Sequence, residues 1–195
     1  MYRVPPAIAF AIAFLTGSLP ILHAQTVAPG RTIVRLLVGG AAPVAPSRFR
    51  SDWNPGLSTT ASIGYAVSRQ VELTIAAEFG LFGVSAASAP PPPPALSTSH
   101  GTTPVWAAWL DGGFTPRSGR MRPRAHVGAG VVAHGAARTA PALQVGVGLE
   151  RSLELRLAAH LDVSLVHAFS DDPTDQAGIA EPLSYVPIRF GLSWR

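Results

Sequence analysis

The C-terminal stretch from residue 183 to residue 195 alternates strictly between two kinds of side chain. One face is wholly apolar and consists of Val186, Ile188, Phe190, Leu192 and Trp194. The other face is polar or small and consists of Tyr185, Pro187, Arg189, Gly191, Ser193 and Arg195. In a membrane every backbone N–H and C=O must be hydrogen-bonded, and strands achieve this only by closing into a barrel. The alternation therefore predicts a lipid-facing strand of such a barrel.

Seven further segments show the same period of two. The clearest are residues 70–83 and 153–165, which are longer than ordinary globular strands and long enough for tilted membrane crossing. The other predicted strands are residues 32–41, 57–67, 103–114, 124–134 and 143–149, with 183–194 as the eighth. Together they predict an all-β fold, an eight-stranded antiparallel up-and-down transmembrane β-barrel.

The predicted connections alternate between short and long. Short turns are expected near Ser68-Arg69 and Arg151-Ser152, whereas the connections 43–56, 85–102 and 170–182 are long and rich in Pro, Ser, Asp or Gly. Residues 115–123 and 135–141 complete the set and fit the alternation less well. Short turns at one rim and long loops at the other are typical of outer-membrane barrels, so we expect the long loops outside the cell. The proline run 90–94 fits an exposed, semi-rigid part of one loop.

Alternation alone does not say which face points inward, because a soluble β-sandwich or a lipocalin-like barrel would show the same period with its apolar face inside. Three features favour the membrane barrel: an even number of long strands, aromatic residues near strand ends, and a polar face with few charges in a chain that is only 13% charged. Five aromatic residues are expected at the membrane interfaces: Phe79, Trp106, Tyr185, Phe190 and Trp194.

The polar face then predicts a charged network inside the lumen. Its expected members are Glu72, Glu78, Arg124, His126, Glu154, Arg156, His160, Asp162 and Arg189. Because an unpaired buried charge is costly, each arginine is expected to meet an acid across the barrel. Such a network would fill the narrow lumen and make the barrel structural.

The N-terminus predicts export. Arg3 precedes an apolar stretch over residues 7–15, and Leu22-His23-Ala24 is a plausible cleavage site, so residues 1–24 are expected to be a signal peptide and 25–195 the barrel domain. The apolar stretch is shorter than the roughly 20 residues of a transmembrane helix and is followed by Gly17 and Pro20.

Composition excludes several kinds of site. The chain has no cysteine, which removes disulfides, thiolate metal ligands and cysteine nucleophiles. Its net charge of +4 comes from arginines scattered singly through the sequence, without a basic run, so we expect no nucleic-acid partner and no arginine binding patch. His126, His134, His160 and His167 lack metal-ligand spacing. No metal and no cofactor are expected.

The eight segments, the signal peptide and the closing Tyr-Val-Pro-Ile-Arg-Phe-Gly-Leu-Ser-Trp resemble small OmpA/OmpX-type outer-membrane β-barrel proteins of Gram-negative bacteria. Residues 54–56, 62–65 and 71–75 are similar to the loop, strand and turn of such barrels. The resemblance implies outer-membrane lipid and lipopolysaccharide as surroundings. It also implies recognition of the last strand by the barrel-insertion machinery, which usually reads a terminal aromatic residue. Here Trp194 is followed by Arg195.

Three functions remain open from the sequence. The favoured one is a non-catalytic barrel with a filled lumen and external loops that serve envelope structure or surface contacts. An alternative is a narrow porin-like channel for small or hydrophobic solutes. A third is a lipid A-modifying enzyme, since some barrels of this size are such enzymes and the chain offers His126, Glu154, His160, Asp162, Ser164 and His167. These residues are expected to point into the lumen, away from lipid substrates, so no catalytic residue is predicted.

Overall fold

The computed structural model describes residues 28–45, 53–84, 102–116, 121–134, 138–154, 156–169 and 183–195. The predicted signal peptide, the proline run 90–94 and the acidic connection 170–182 lie outside these ranges. Within the described part of the chain, no helix is long and apolar enough to cross a membrane.

Eight antiparallel strands form one closed barrel, with each strand paired to its neighbours in sequence and β1 paired to β8. The strands are β1 (Thr32–Ala45), β2 (Trp53–Ala66), β3 (Val71–Val84), β4 (Thr102–Phe114), β5 (Met121–His134), β6 (Arg138–Ser152), β7 (Leu157–Ala168) and β8 (Leu183–Trp194). The predicted fold class is therefore confirmed.

Most strands extend beyond the predicted bounds. Strand residues replace both ends of the loop predicted over 43–56, since β1 extends to Ala45 and β2 begins at Trp53. They also replace the end of the loop predicted over 135–141, because β6 already pairs with β5 at Arg138 and His134. Prolines caused these errors: Pro43, Pro123 and Pro141 are signals of loops, yet each lies within a paired strand. A residue in an antiparallel ladder uses its N–H toward only one neighbour, so a proline there loses one hydrogen bond and the strand continues.

The strand predicted over 153–165 begins later, at Leu157, and continues to Ala168. The backbone N–H groups of Leu153 and Glu154 both donate to the carbonyl oxygen of Leu157, at 2.9 and 3.1 Å. These bonds hold Leu153 and Glu154 beside the start of β7.

The connections separate into two rims. The turn rim is formed by the ends of β2, β4, β6 and β8 and the starts of β1, β3, β5 and β7. The loop rim is formed by the opposite strand ends. The turn predicted near Ser68-Arg69 is confirmed, since the hydroxyl of Ser68 accepts hydrogen bonds from the N–H groups of Gln70 and Val71 at 3.1 and 3.0 Å.

Side chains alternate between lumen and outer wall, with the polar side inward. In β3, Glu72 and Glu78 are buried, whereas Leu73 and Ile75 expose 51% and 64% of their surface. This is the reverse of a soluble protein, in which such large apolar side chains would form the core.

Two glycines allow β1 and β8 to approach closely where the barrel closes. A Cβ on Gly39 would lie 1.9 Å from the carbonyl oxygen of Ile188, and a Cβ on Gly191 would lie 1.9 Å from that of Leu36. The obstructing atoms are backbone and have no rotamer to yield, so these positions require glycine.

We therefore expect Gly39→Ala to destabilise the barrel by about 1–3 kcal/mol, the usual effect of overpacking. The neighbouring Gly40→Ala is the matched control, because its Cβ would meet only the carbonyl oxygen of Gly56 at 3.6 Å. Urea unfolding in detergent micelles compares the two variants. Equal stability of both would contradict the closure role of Gly39.

Candidate functional site: the filled lumen

Most of the predicted network lies inside the barrel. The buried members are Glu72, Glu78, His126, His160, Asp162 and Arg189. Arg124 is half-buried and lines a lumen cavity. Glu154 and Arg156 are exposed in the turn between β6 and β7, so their predicted lumen position is wrong. The prediction was wrong because Glu154 and Arg156 alternate with leucines in phase with the inward face of β7, although they precede that strand.

Arg189 is the centre of the network. From β8 its guanidinium reaches Asp162 of β7 at 2.9 Å and Glu78 of β3 at 3.2 Å. It also donates hydrogen bonds to the hydroxyls of Thr60 and Ser164, at 2.6 and 2.8 Å. One side chain therefore connects β2, β3, β7 and β8 through the lumen.

Glu78 accepts two further hydrogen bonds. The hydroxyl of Ser58 and the indole N–H of Trp109 donate to its two carboxylate oxygens, at 3.1 and 3.2 Å. Both oxygens of this buried carboxylate are therefore satisfied, as burial of a charge requires.

A second group of ion pairs lies nearer the turn rim. Arg35 forms a two-pronged pair with Glu72, which also accepts a hydrogen bond from Thr74 at 2.8 Å. Glu150 pairs with the guanidinium groups of Arg122 and Arg195. The sequence prediction omitted Arg35, Arg122, Glu150 and Arg195; Arg122 and Glu150 lay beyond the predicted strand ends, whereas Arg35 alternates with Val34 and Leu36 and was recognisable.

Arg124 stands apart from these pairs. It makes no direct ion pair with the described residues, and it borders a cavity of about 30 Å³ that Asp111 and His126 also line. Asp111 accepts a hydrogen bond from Gln144. The cavity has room for about one water molecule and is polar enough to hold it.

The lumen toward the loop rim is closed by an apolar layer that sequence analysis missed. Its large members are Phe82, Val105, Val132, Val166 and Tyr185, each at most 2% exposed. Phe82 packs edge-on against Tyr185 with ring centroids 5.6 Å apart, and Trp53 lies 5.5 Å from Phe82. Tyr185 was predicted at the membrane interface and is instead inside the barrel, because it shares the inward face of β8 with Arg189.

The other four predicted interfacial aromatics face outward. Trp106, Phe190 and Trp194 are exposed, and the partly buried Phe79 packs against Trp106 with ring centroids 4.3 Å apart. A cavity of about 460 Å³ lies on this outer wall between Leu36, Val38, Phe79 and Trp106. This cavity is therefore on the outside of the barrel and is not part of the lumen.

Within the described residues the charges of the lumen balance and leave little space. The cationic side chains are Arg35, Arg122, Arg124, Arg189 and Arg195, and the anionic ones are Glu72, Glu78, Asp111, Glu150 and Asp162. The cavity beside Arg124 and one of about 20 Å³ at the turn rim are separate small spaces. Neither extends through the apolar layer.

The histidine–serine contacts do not form a hydrolytic triad among the described residues. His160 Nε2 lies 2.8 Å from the hydroxyl of Ser193 and 3.5 Å from Glu150 Oε2, so one ring nitrogen faces both groups. A triad uses one nitrogen for the nucleophile and the other for the acid. Ser164, considered as a nucleophile from the sequence, is bonded to Arg189. No group of three or more potential metal ligands occurs in the described ranges.

An eight-stranded antiparallel barrel with charges inside and an apolar outer wall defines the class of small transmembrane β-barrels. Similar folds occur in Neisserial surface protein A, with a TM-score of 0.60 and 9% identity over 84% of this chain and 96% of that chain. The outer membrane protein OprG of Pseudomonas aeruginosa is also similar, with a TM-score of 0.53 and 11% identity over 86% of this chain and 96% of that chain. At these identities the similarity concerns the fold. No protein-family model and no curated protein sequence matches the chain.

We expect Arg189→Met to destabilise the barrel by about 3–5 kcal/mol, because it leaves two buried carboxylates without their cation. Adding Glu78→Gln and Asp162→Asn to this variant should recover much of the loss. Unfolding in detergent micelles measures both changes.

Arg124→Met is the comparison for Arg189→Met, since Arg124 has no direct ion pair among the described residues. Its replacement should lower the free energy of unfolding much less. A loss as large as that of Arg189→Met would contradict the central role of Arg189.

Proposed function

We propose that this protein is an integral outer-membrane β-barrel of a Gram-negative bacterium, with a filled polar lumen and no catalytic activity. Its loop-rim connections serve surface contacts or the integrity of the envelope. The observation that carries the proposal is the apolar outer wall: Leu110, Val147 and Ile75 expose 62%, 63% and 64% of their surface, whereas ionisable side chains fill the inside. Water would oppose such an arrangement, and lipid favours it.

The spacing of outer aromatic residues supports a membrane band. Trp106 and Phe114 lie on the same strand, both exposed, with Phe114 near the turn rim. Eight residues of a strand tilted by about 40° span roughly 20 Å of height, close to the apolar band of about 25 Å in outer-membrane barrels. The two side chains thus suit opposite interfaces.

The packed lumen supports a structural role over a channel. The ion pairs around Arg189 and Glu150 occupy the polar part of the lumen, and the apolar layer at Phe82 and Tyr185 is closely packed. Conduction would require breaking buried ion pairs or opening a closely packed layer.

The cellular surroundings follow from the same proposal. Residues 1–24 direct export, and the insertion machinery recognises β8 through its aromatic end at Trp194. Membrane lipid contacts the outer wall, and lipopolysaccharide surrounds the loop rim. The resemblance to OmpA/OmpX-type barrels, based on the alternating strands and the closing segment, supports this assignment.

Membrane fractionation followed by electrophoresis tests the location and the closed fold. We expect recovery in the outer membrane and a difference in mobility between unboiled and boiled samples, because the paired strands resist detergent until heated. Recovery in the soluble periplasm without a mobility difference would overturn the proposal.

Planar-bilayer recordings test whether the barrel is a channel. We expect no stable openings from the reconstituted, heat-modifiable protein, because the lumen is filled. Reproducible unitary openings that vanish on heating the protein would favour the porin-like alternative.

A further inference from the structure

Arginines that are far apart in sequence meet on one arc of the turn rim. Arg31 directly precedes β1, Arg69 lies in the turn between β2 and β3, and Arg156 directly precedes β7. All three are exposed. Because the closed strand order is β7–β8–β1–β2, these positions follow one another along the rim.

Backbone hydrogen bonds fix this arc. The N–H of Ala66 donates to the carbonyl oxygen of Arg31 at 3.0 Å, which holds Arg31 beside the end of β2 that leads to Arg69. The N–H of Arg195 donates to the carbonyl oxygen of Arg156 at 3.0 Å, which joins the start of β7 to the end of β8. Arginines that are scattered in the sequence are therefore neighbours along the rim, because the fold brings their strand ends together.

The arc carries an excess of positive charge. Among the side chains whose exposure the structure describes, the exposed charged ones are Arg31, Arg69 and Arg156 on the cationic side and Glu154 on the anionic side. The lumen arginines are in contrast enclosed with five carboxylates. The exposed charge described at the turn rim is thus positive overall.

The arc lies next to exposed aromatic residues of the outer wall. Tyr65 and Trp194 expose 54% and 44% of their surface and lie close to the same strand ends. Aromatic residues of this kind occupy the boundary between hydrocarbon and headgroups. Arginines immediately beyond them reach the level of lipid phosphates, and the guanidinium group binds phosphate in a two-pronged geometry.

We infer that Arg31, Arg69 and Arg156 form a binding surface for the phosphate groups of anionic glycerophospholipids in the leaflet at the turn rim. The inference rests on the proposed membrane location, in which that leaflet faces the periplasm. Charge complementarity and the adjoining aromatic boundary favour lipid over a more distant acidic polymer of the cell wall.

The test compares lipid binding by the full barrel in detergent micelles, measured by native mass spectrometry with dioleoyl-phosphatidylglycerol and dioleoyl-phosphatidylcholine. The wild type should prefer phosphatidylglycerol by at least tenfold. Each arginine near a lipid surface contributes about a fivefold change in affinity, so Arg31→Gln/Arg69→Gln should lower phosphatidylglycerol binding by about 25-fold. Arg31→Lys/Arg69→Lys should retain most of the preference.

The matched control is Arg48→Gln/Arg50→Gln, which removes the same charge from the chain between β1 and β2. It should change phosphatidylglycerol binding less than twofold. Equal binding of both lipids by the wild type would overturn the inference, and so would an equal loss of phosphatidylglycerol binding in the control. A third contrary result would be that soluble cell-wall fragments bind the wild type in preference to phosphatidylglycerol when both are added.

Heat-dependent mobility in phosphatidylcholine vesicles separates the two proposals. A wild type that inserts and shifts on heating but shows no lipid preference disproves the binding surface alone. Failure of the wild type to insert disproves the membrane location and the binding surface together.

Discussion

The pairing of β1 with β8 is the contact on which the rest of the molecule depends. Until that seam forms, both strands have an unpaired edge, and the lumen is open along its whole length. The seam extends from Val34 and Trp194 at one rim to Ala45 and Ser184 at the other. Closure therefore gives hydrogen-bond partners to the backbone groups of both edges and encloses the charged side chains in one step. A membrane requires both.

The enclosed charges fit because small residues lie beside them. A Cβ on Gly128 would clash with Asp111, one on Gly146 with His126, and one on Gly113 with Arg124. Eight strands leave an interior only wide enough to be filled by side chains. A long polar residue therefore needs a neighbouring residue without a side chain. The glycines of β4, β5 and β6 thus leave space for the network, and they explain how ten ionisable side chains of Arg, Asp and Glu fit into so narrow a lumen.

The sequence predicted the architecture well because alternation reports which face a residue occupies. Glu72, Glu78 and Arg189 were placed correctly on this basis. Alternation does not report where a sheet ends, and Glu154 and Arg156 were misplaced because the pattern runs on through a turn. Pairing partners were beyond its reach as well. Arg189 and Thr60 are separated by 129 positions, and only the closed barrel brings them together.

The position of Arg189 on the final strand has a consequence for assembly. Its partners Glu78 and Asp162 belong to β3 and β7, so seven strands without β8 would carry both carboxylates with no cation from Arg189. An open sheet of that kind would be poorly soluble in hydrocarbon, whereas the complete one has a neutral interior. The charge balance of the interior is therefore a property of the complete barrel, because Arg189 and Arg195 both enter the lumen with the last strand.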